Sequence, residues 1–552
     1  MKRRNFLKIL PPLGITPFVV NGFPLKAYAN QRLAQILSTC DGVEDRVLVL
    51  IQLKGGNDGV NTVIPINQYD TYANLRPTIR ISDTGNKKYI DLDTTLPSAD
   101  QVGLHPAMTG FKEIYDEGQL ALVQGVGYAQ PNQSHFKSTD LWLTGGDGTP
   151  ENFNIGSGWM GRALQAFYPD VSGAPTANMP DPLGIQVGDP NPSLGFHTET
   201  EHQNVINLSG QDPAGFFSLV QTIGGAPILN IPDTEQGDEL AFIMGVEQSV
   251  NLYAQRITEV FNAGSNAITY PETNLASQLK TIARMIKGGC KTKIYLCTLG
   301  GFDNHSSQAD PIDTSTGVHS ELLLQLSDAV KAFLDDLEAL GIAEQVLGCT
   351  FSEFGRCAAE NGSIGTDHGT LAPMFVFGKN AQAGVLGTNV NLSNLTQDNQ
   401  LQGIQHDYRQ VFATLLQDWL GADGYVMEQT MFDGYTKVGL VDAAFVVNPD
   451  CYFGGGTSGA WEIAQTVKPL QVFPNPASYN AEVSFESPYA FPARLSLHSL
   501  GGSMVYANTV QVSSGTNFYY LDVANLPAGA YFVRLENKNT GTADVTKLSV
   551  AR

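Results

Sequence analysis

Four short motifs in this 552-residue chain combine carboxylates, histidines and glycines in patterns that suit metal binding. They are GGNDG at 55–59, GGFDNH at 300–305, SEFGR at 352–356 and GTDHG at 365–369. The first three directly follow apolar runs with the composition of buried strands. In an open parallel sheet, binding and catalytic groups gather beyond the carboxyl ends of the strands. We therefore expect these distant motifs to converge on one crevice.

The first two motifs contain candidate ligands for a hard cation. Asp58 lies in a glycine-rich turn that lets its side chain project into a crevice, although Asn-Asp-Gly is also an ordinary turn sequence. Asp303 and His305 are two residues apart, so in extended geometry both point to one face and could bind one ion. The alternative for this pair is a turn aspartate beside a surface histidine.

The other two motifs add further ligands and a cationic side chain. Glu353 could hold a second metal ion, while Arg356 could receive an anionic ester or pair with Glu353. His368 precedes an apolar strand and is the strongest histidine candidate. Asp367 is either a ligand or a residue that stabilises its own turn. Oxygen and imidazole ligands suit Zn, Mn, Mg or Ca, and the sequence does not choose among these divalent ions.

A hydrolase built on these residues also needs a nucleophile. We choose Ser134 because His135 lies beside it, and a hydroxyl becomes nucleophilic next to a base or a metal ion. Ser138 and Thr139 are rival candidates. Ser134 could instead cap the helix that follows it.

The elements that must position these residues alternate between strands and helices from 45 to 445. This alternation predicts an α/β domain with a central sheet flanked by helices. Apolar residues recurring at three- and four-residue steps predict helices over 239–263, 275–287 and 319–340. We expect a linker at 446–466, and short alternating runs from 467 to 552 predict a separate small all-β sandwich.

Charge and targeting signals limit the partners and the location. The net charge of −22 disfavours nucleic acid and anionic lipid as partners. Residues 1–29 have the basic start, weakly apolar middle and AYA cleavage site of a signal peptide, and RRNFLK at 3–8 matches the twin-arginine pattern. The alternative is an ordinary secretory signal. No other stretch reaches 18 apolar residues, so we expect no stable membrane span. From the twin-arginine pattern we expect export into the periplasm by the twin-arginine translocase.

The C-terminal segment resembles a known export domain. The similar stretches are FPNPAS at 473–478, SLGGSMVY at 499–506, LDVANLPAGAYFVRL at 521–535 and the terminal TKLSVAR. They resemble the C-terminal sorting domain of type IX secretion substrates. This resemblance implies the type IX secretion system as a partner and release or anchoring at the cell surface. An unrelated carbohydrate-binding sandwich is the alternative.

The central segment resembles the alkaline phosphatase superfamily and, more closely, the exported family of domain of unknown function 1501. Its matching stretches include LIQLKGGNDGVNTVIP at 50–65, TLGGFDNHSSQ at 298–308, SEFGR, GTDHG and HDYRQVFATLLQDWLG at 406–421. The resemblance implies an alkaline-phosphatase-like sheet. It also implies metal roles for Asp58, for Asp303 with His305, and for His368. Glu353 stands where the superfamily usually has an Asp-His pair.

Two functions are compatible with these observations. The first is an exported, metal-dependent hydrolase of phosphate or sulfate esters, with an anionic ester as its substrate. The second is a non-catalytic cell-surface or matrix binding protein that keeps the fold. The retained carboxylates and His368 favour the enzyme, whereas the uncertain nucleophile favours the binding protein. No C/SxPxR sequence occurs, which argues against a formylglycine sulfatase.

Overall fold

A computed structural model shows two compact units, Met1–Gly454 and Gly455–Arg552. The structure describes residues 17–20, 23–26, 43–169, 171, 175–176, 179–189, 191–198, 205–208, 253–451, 470–487, 491–499, 504–513, 515–524, 526–538 and 543–551. Each unit is described by itself. The finer limits expected from the sequence for signal peptide, domains and linker stay a prediction.

The strands and helices of the first unit alternate along the chain. The strands are β1 Pro17–Val20, β2 Phe23–Lys26, β3 Val47–Lys54, β4 Val63–Pro65, β5 Ile90–Asp91, β6 Val102–Leu104, β7 Leu120–Gly127, β8 Gly184–Val187, β9 Val205–Leu208, β10 Ile294–Gly300, β11 Val346–Phe351, β12 Ala372–Phe377, β13 Gly384–Leu386 and β14 His406–Asp407. The helices are α1 Gly59–Thr62, α2 Tyr69–Leu75, α3 Thr109–Asp116, α4 His135–Thr144, α5 Trp159–Phe167, α6 at 253–263, α7 Asn274–Lys287, α8 Val318–Ala339, α9 Tyr408–Thr414 and α10 Gly424–Thr430.

The central sheet has the strand order β13-β7-β12-β11-β3-β10-β8-β9, and β14 pairs with β7. Its middle strands β11, β3 and β10 are parallel neighbours, whereas β12 is antiparallel to both β11 and β7. The sheet is therefore mixed, and the predicted α/β class with a central sheet flanked by helices is confirmed. Since β11, β3 and β10 are parallel, the three loops that follow them leave the sheet at the same edge.

Helices cover both faces of this sheet. Successive residues of β3 point to opposite faces, so Val49 and Ile51 belong to one apolar core and Leu48 and Leu50 to the other. The first core includes residues of α7 and α8, and the second includes residues of α4, α5 and α9. Burial on both faces explains why the strand is a continuous apolar run.

The helix predictions are confirmed where the structure describes the chain. The segments 275–287 and 319–340 correspond to α7 and α8 within one residue at each end. Of the predicted helix 239–263, residues 253–263 form α6, and the rest lies outside the described residues. Thr273 is the N-cap of α7, and its side chain accepts a hydrogen bond from the backbone N of Ala276.

The second unit is built from antiparallel strands. They are β15 Gln471–Phe473, β16 Asn480–Ser487, β17 Phe491–Ser499, β18 Met504–Val512, β19 Gly515–Asp522, β20 Gly529–Asn537 and β21 Ala543–Val550. They form sheets of order β15-β16-β19 and β18-β17-β20-β21 around one apolar cluster. This arrangement agrees with the small all-β domain expected for the C-terminal segment.

Two further features bear on the expected export. Most of the predicted signal peptide at 1–29 lies outside the described residues, and its two described stretches, β1 and β2, pair antiparallel. No helix in the described part of the chain is long and apolar enough to cross a membrane.

Cys451 forms a disulfide, whereas the buried Cys290, Cys297, Cys349 and Cys357 are free thiols.

Candidate functional site

The loops after β3, β10 and β11 are packed directly against each other. Gly55 has φ +118°, and a Cβ there would overlap the backbone N of Asp303. Gly56 has φ +77°, and a Cβ there would overlap the ring of Phe354. Both positions therefore require glycine, because it tolerates positive φ and occupies no side-chain volume. The glycines of GGNDG let three distant motifs meet.

Three histidine rings surround one carboxylate oxygen at this edge of the sheet. The Nε2 atoms of His305, His135 and His368 lie 3.1, 3.4 and 3.5 Å from Oδ1 of Asp303. The Nε2 atoms of His305 and His368 are 2.8 Å apart. Two ring nitrogens at this distance need a shared proton or a cation between them, because two lone pairs repel. We call Asp303, His135, His305 and His368 the His–Asp cluster.

The other ring nitrogen of each histidine faces an acceptor. His135 Nδ1 is 2.9 Å from Oε1 of Glu353, and His305 Nδ1 is 3.1 Å from Oδ1 of Asp367. His368 Nδ1 lies 2.7 Å from the backbone oxygen of Gln133. These acceptors place the Nδ1 proton on each neutral ring and leave the Nε2 lone pair directed at the cluster. The same arrangement orients histidine ligands in metal sites.

The spacing of the cluster fits one cation. Two ligand atoms at about 2.1 Å from an ion, at a tetrahedral angle, lie about 3.4 Å apart. The distances from Asp303 to His135 and to His368 match this value. His135, Asp303 and His368 each offer an atom within 4.8 Å of the others. Within the described residues, the buried Nε2 of His135 has no hydrogen-bond partner, so its lone pair is available to a cation.

Arg356 occupies a different place from the one expected for an anion-binding group. Its buried guanidinium donates to the backbone oxygens of Gly55, Gly56, Phe302 and Thr366, and to Oδ1 of Asp303 at 2.8 Å. It pairs with Asp303, not with Glu353. Burial raises the pKa of Asp303, but the hydrogen bond and charge of Arg356, together with the nearby His135 and His305, outweigh this effect and leave that pKa below its usual value. Arg356 therefore joins the loops and keeps the cluster carboxylate ionised.

Two carboxylates that were expected to bind metal accept hydrogen bonds from the Nδ1 atoms of cluster histidines. Glu353 is buried and accepts from the backbone N of Gly55 at 2.9 Å as well as from His135. Its hydrogen bond raises the pKa of His135. Asp367 accepts from Asn361 and His305, and the Asn361 bond lowers its pKa. Each carboxylate thus orients a cluster histidine through one of its oxygens, and the metal roles expected for both from the sequence stay predictions.

Asp58 also differs from the sequence expectation, because it forms a buried ion pair. Its Oδ2 accepts from Arg76 at 2.6 Å and from Gln308 at 2.5 Å. Burial raises the Asp58 pKa, but the charge and hydrogen bond of Arg76, with smaller contributions from His319 and Gln308, outweigh this effect, so the pKa falls to about 2. No hydrogen bond or ion pair joins Asp58 to the His–Asp cluster within the described residues. Arg76 lies outside the four motifs in the sequence, and nothing in the sequence marked it.

Ser134 and His135 are not arranged as a nucleophile and its base. Ser134 is exposed at the N-cap of α4, and its hydroxyl makes no capping hydrogen bond. Both nitrogens of His135 are directed elsewhere, to Glu353 and to Asp303. The rival Ser138 is buried and donates to the backbone oxygen of Glu353 at 2.5 Å. Thr139 is partly buried on the same helix. His135, chosen from the sequence as a base, instead lies where a metal ligand would be.

Comparisons with known proteins identify both parts of the chain. The family model described as "Protein of unknown function (DUF1501)" matches residues 45–429. The model described as "Secretion system C-terminal sorting domain" matches residues 471–550. Both resemblances stated from the sequence are confirmed. No curated protein matches the chain.

Similar solved structures share little sequence with this chain. The PsFucS1 sulfatase from Pseudoalteromonas sp. is 10% identical at TM-score 0.33, covering 91% of this chain and 89% of that chain. A protein in the alkaline phosphatase superfamily from Vibrio parahaemolyticus is 8% identical at TM-score 0.31, with 91% and 82% covered. PorZ, a surface component of the type-IX secretion system of Porphyromonas gingivalis, is 15% identical at TM-score 0.13, with 20% and 15% covered. These likenesses are distant.

Proposed function

Because this chain belongs to the DUF1501 family of proteins of unknown function, we propose its activity from its own site: an exported, metal-dependent hydrolase of phosphate or sulfate esters. The observation that carries this proposal is the convergence of three Nε2 atoms on Oδ1 of Asp303. Imidazole and carboxylate ligands in this geometry suit Zn or another divalent ion. A cation held there would stabilise the charge that develops on an ester oxygen.

The residues around the cluster support this role by holding its ligands in one state. Glu353, Asp367 and the Gln133 carbonyl accept the Nδ1 protons, so each Nε2 stays free to bind. Arg356 keeps Asp303 ionised through a 2.8 Å hydrogen bond. Preorganised ligands of this kind need no rearrangement when a cation and an anionic substrate arrive.

The nucleophile is either the Ser134 hydroxyl or a water molecule. Ser134 is exposed next to His135, but Nδ1 of His135 is engaged with Glu353, and its Nε2 could not take the Ser134 proton while it bound a cation. A Ser134→Ala variant separates the two cases. Loss of turnover with unchanged metal content assigns the hydroxyl, whereas unchanged turnover assigns water.

The C-terminal sorting domain points to export to the cell surface or the extracellular space. We further propose that residues 1–29 act as a twin-arginine signal peptide and that the protein crosses the periplasm on its way. The proteins that carry it out of the cell are then the twin-arginine translocase and the type IX secretion system.

A non-catalytic surface or matrix binding protein is the second candidate. The feature that favours it is the absence, within the described residues, of a base hydrogen-bonded to Ser134. In that case the cluster holds a structural ion, and hydrolysis is absent. The two candidates share the metal site and differ in turnover.

The test combines metal analysis with a panel of aryl phosphates, phosphodiesters and aryl sulfates. We expect the exported protein to carry a divalent metal ion, and the His368→Ala variant to lose both metal and turnover. His498→Ala is the matched control, because His498 lies in the second unit, where its Nε2 is 3.0 Å from Oγ of Ser496. Metal without turnover on any ester would favour the binding protein. No metal in the wild type would refute both versions of the site.

A further inference from the structure

One aromatic side chain next in sequence to a histidine of the His–Asp cluster is left uncovered. Phe136 is 88% exposed, and among the residues from 43 to 451 whose exposure the structure describes no other aromatic residue is strongly exposed. An exposed apolar ring keeps its hydration shell and forgoes the gain from burial. A single exposed apolar residue is common on protein surfaces, so its exposure alone does not indicate a function.

The position of Phe136 distinguishes it from other exposed apolar residues. It follows His135 in the first turn of α4, so its Cα lies about 3.8 Å from that of a cluster histidine. The preceding Gln133 and Ser134 are exposed as well, and the Gln133 carbonyl accepts from His368. Residues 133, 134 and 136 are therefore exposed on the segment that carries His135 and contacts His368.

The ring of Phe136 is free to meet a ligand. The next residue, Lys137, is engaged elsewhere: its ammonium lies 4.0 Å over the ring of Phe153 and donates to Asn154 at 3.1 Å. Among the described residues, Phe136 takes part in no ring pair and no cation–π contact, in contrast to His135, whose ring packs against Phe354 and His368. An aromatic face of this kind stacks on flat rings with apolar faces.

We propose that Phe136 determines substrate specificity: it stacks on the alcohol part of the ester, a phenol or sugar ring, while the anionic group lies at the His–Asp cluster. This inference rests on the proposed function and names its substrate class. Stacking on the alcohol part acts in the bound substrate and in the transition state alike, so it lowers KM and leaves kcat unchanged.

The test measures the binding of ligands that cannot be hydrolysed. It uses the full chain loaded with zinc or manganese, whichever of the two ions the protein retains. Calorimetric titration compares methylphosphonate with phenylphosphonate and with a glucose-derived phosphonate, and methanesulfonate with benzenesulfonate. We expect the wild type to bind a ring-bearing ligand about tenfold more tightly than the methyl compound. Phe136→Ala should reduce this ratio to about one, and Phe136→Tyr should keep it. The phenyl and glucose ligands show which ring the site prefers.

Ile312→Ala is the matched control. Ile312 is 96% exposed, but it lies in a loop where the Thr314 hydroxyl donates a hydrogen bond to the backbone oxygen of Arg80. It should keep the tenfold ratio. With ring-bearing esters as substrates, Phe136→Ala should raise KM about tenfold and change kcat less than twofold. An unchanged ratio in Phe136→Ala, or equal binding of methyl and ring ligands by the wild type, overturns the role of Phe136 and leaves the anion site standing. Failure of every phosphonate and sulfonate to bind refutes the proposed function, and this inference with it.

Discussion

At the scale of single residues, the candidate site depends on which nitrogen of each histidine carries its proton. Glu353, Asp367 and the carbonyl of Gln133 each accept from an Nδ1 atom, which leaves three Nε2 lone pairs around Asp303. A side chain can thus decide, through the orientation and tautomer of the neighbouring ring, whether that ring can bind a cation. Glu353 is the most buried of these acceptors and the best one to test.

Glu353→Ala should weaken metal binding about 10- to 100-fold, because His135 loses the acceptor that fixes its tautomer and orientation. The dissociation constant is measured by competition with a chelator of known affinity. Asp93→Ala is the control, since Asp93 also accepts hydrogen bonds, from Thr95 and Tyr115, but outside the cluster. Equal affinities in Glu353→Ala and wild type would mean that His135 is oriented by packing alone.

A second residue-scale prediction concerns acid sensitivity. Burial, and to a smaller extent the neighbouring His319, lower the pKa of His105 to about 3. The unfolded chain binds a proton at His105 below about pH 6.5, whereas the folded chain does not. Stability from this residue is therefore present above pH 6.5 and lost as the pH falls towards 3. The linkage relation gives a loss of about 2 kcal/mol between pH 7 and pH 5.

Denaturant unfolding at pH 7 and pH 5, with metal removed, measures this effect. The His105→Gln variant does not titrate at this position, so its stability should fall by about 2 kcal/mol less than that of the wild type over the same interval. If both proteins lose the same stability, His105 does not control the acid response.

At the scale of elements, the site is made by three loops that leave the same edge of the sheet. The parallel strands β11, β3 and β10 deliver SEFGR, GGNDG and GGFDNH side by side, and Arg356 holds these loops together through backbone oxygens. The fourth motif, GTDHG, is joined to SEFGR by an antiparallel β-bridge between Arg356 and His368. Close packing of these loops is possible only where side chains are absent.

Gly55→Ala should therefore displace the loop of Asp303. Positive φ alone costs a non-glycine residue about 1–2 kcal/mol, and here the added Cβ also overlaps the backbone of Asp303. Gly118→Ala is the matched control, because Gly118 has φ +74° and open space around it. We expect thermal unfolding to show a larger loss for Gly55→Ala, together with loss of metal. Equal losses in both variants would mean that the loop accommodates the methyl group.

At the scale of the whole molecule, two units with separate cores serve separate purposes. The first unit carries the family match and the His–Asp cluster, and the second carries the sorting domain. No residue of the cluster lies beyond 454. The units should therefore be separable by a stop codon in the segment between them.

A chain ending at Gly454 should fold, bind metal as the full chain does, and remain inside the cell that produces it. Its apolar cores are complete without the second unit. Metal content and the unfolding temperature of the first unit measure the fold, and fractionation of the producing cells measures export. Secretion of the truncated chain at the wild-type level would show that the C-terminal domain is not needed for export.

The sequence by itself determined the α/β class, two long helices, the family and the sorting domain. Hydrophobic periodicity and local motifs carry this information because each depends on neighbours close in the chain. It also marked Asp303, His305 and His368, since carboxylate and imidazole after buried strands are a local pattern. The roles assigned to Ser134, Asp367 and the other site residues from the sequence stay predictions until variants are measured.

Only the tertiary structure decided which polar groups face each other. His135 comes from a helix more than 160 residues away from Asp303, and Arg76, which holds Asp58 in a buried ion pair, lies in none of the four motifs. Asp58 and Asp303 both follow parallel strands, yet one is buried against a guanidinium and the other meets three imidazoles. Charge partners are set by packing between segments distant in sequence, and residue type and spacing do not contain that information.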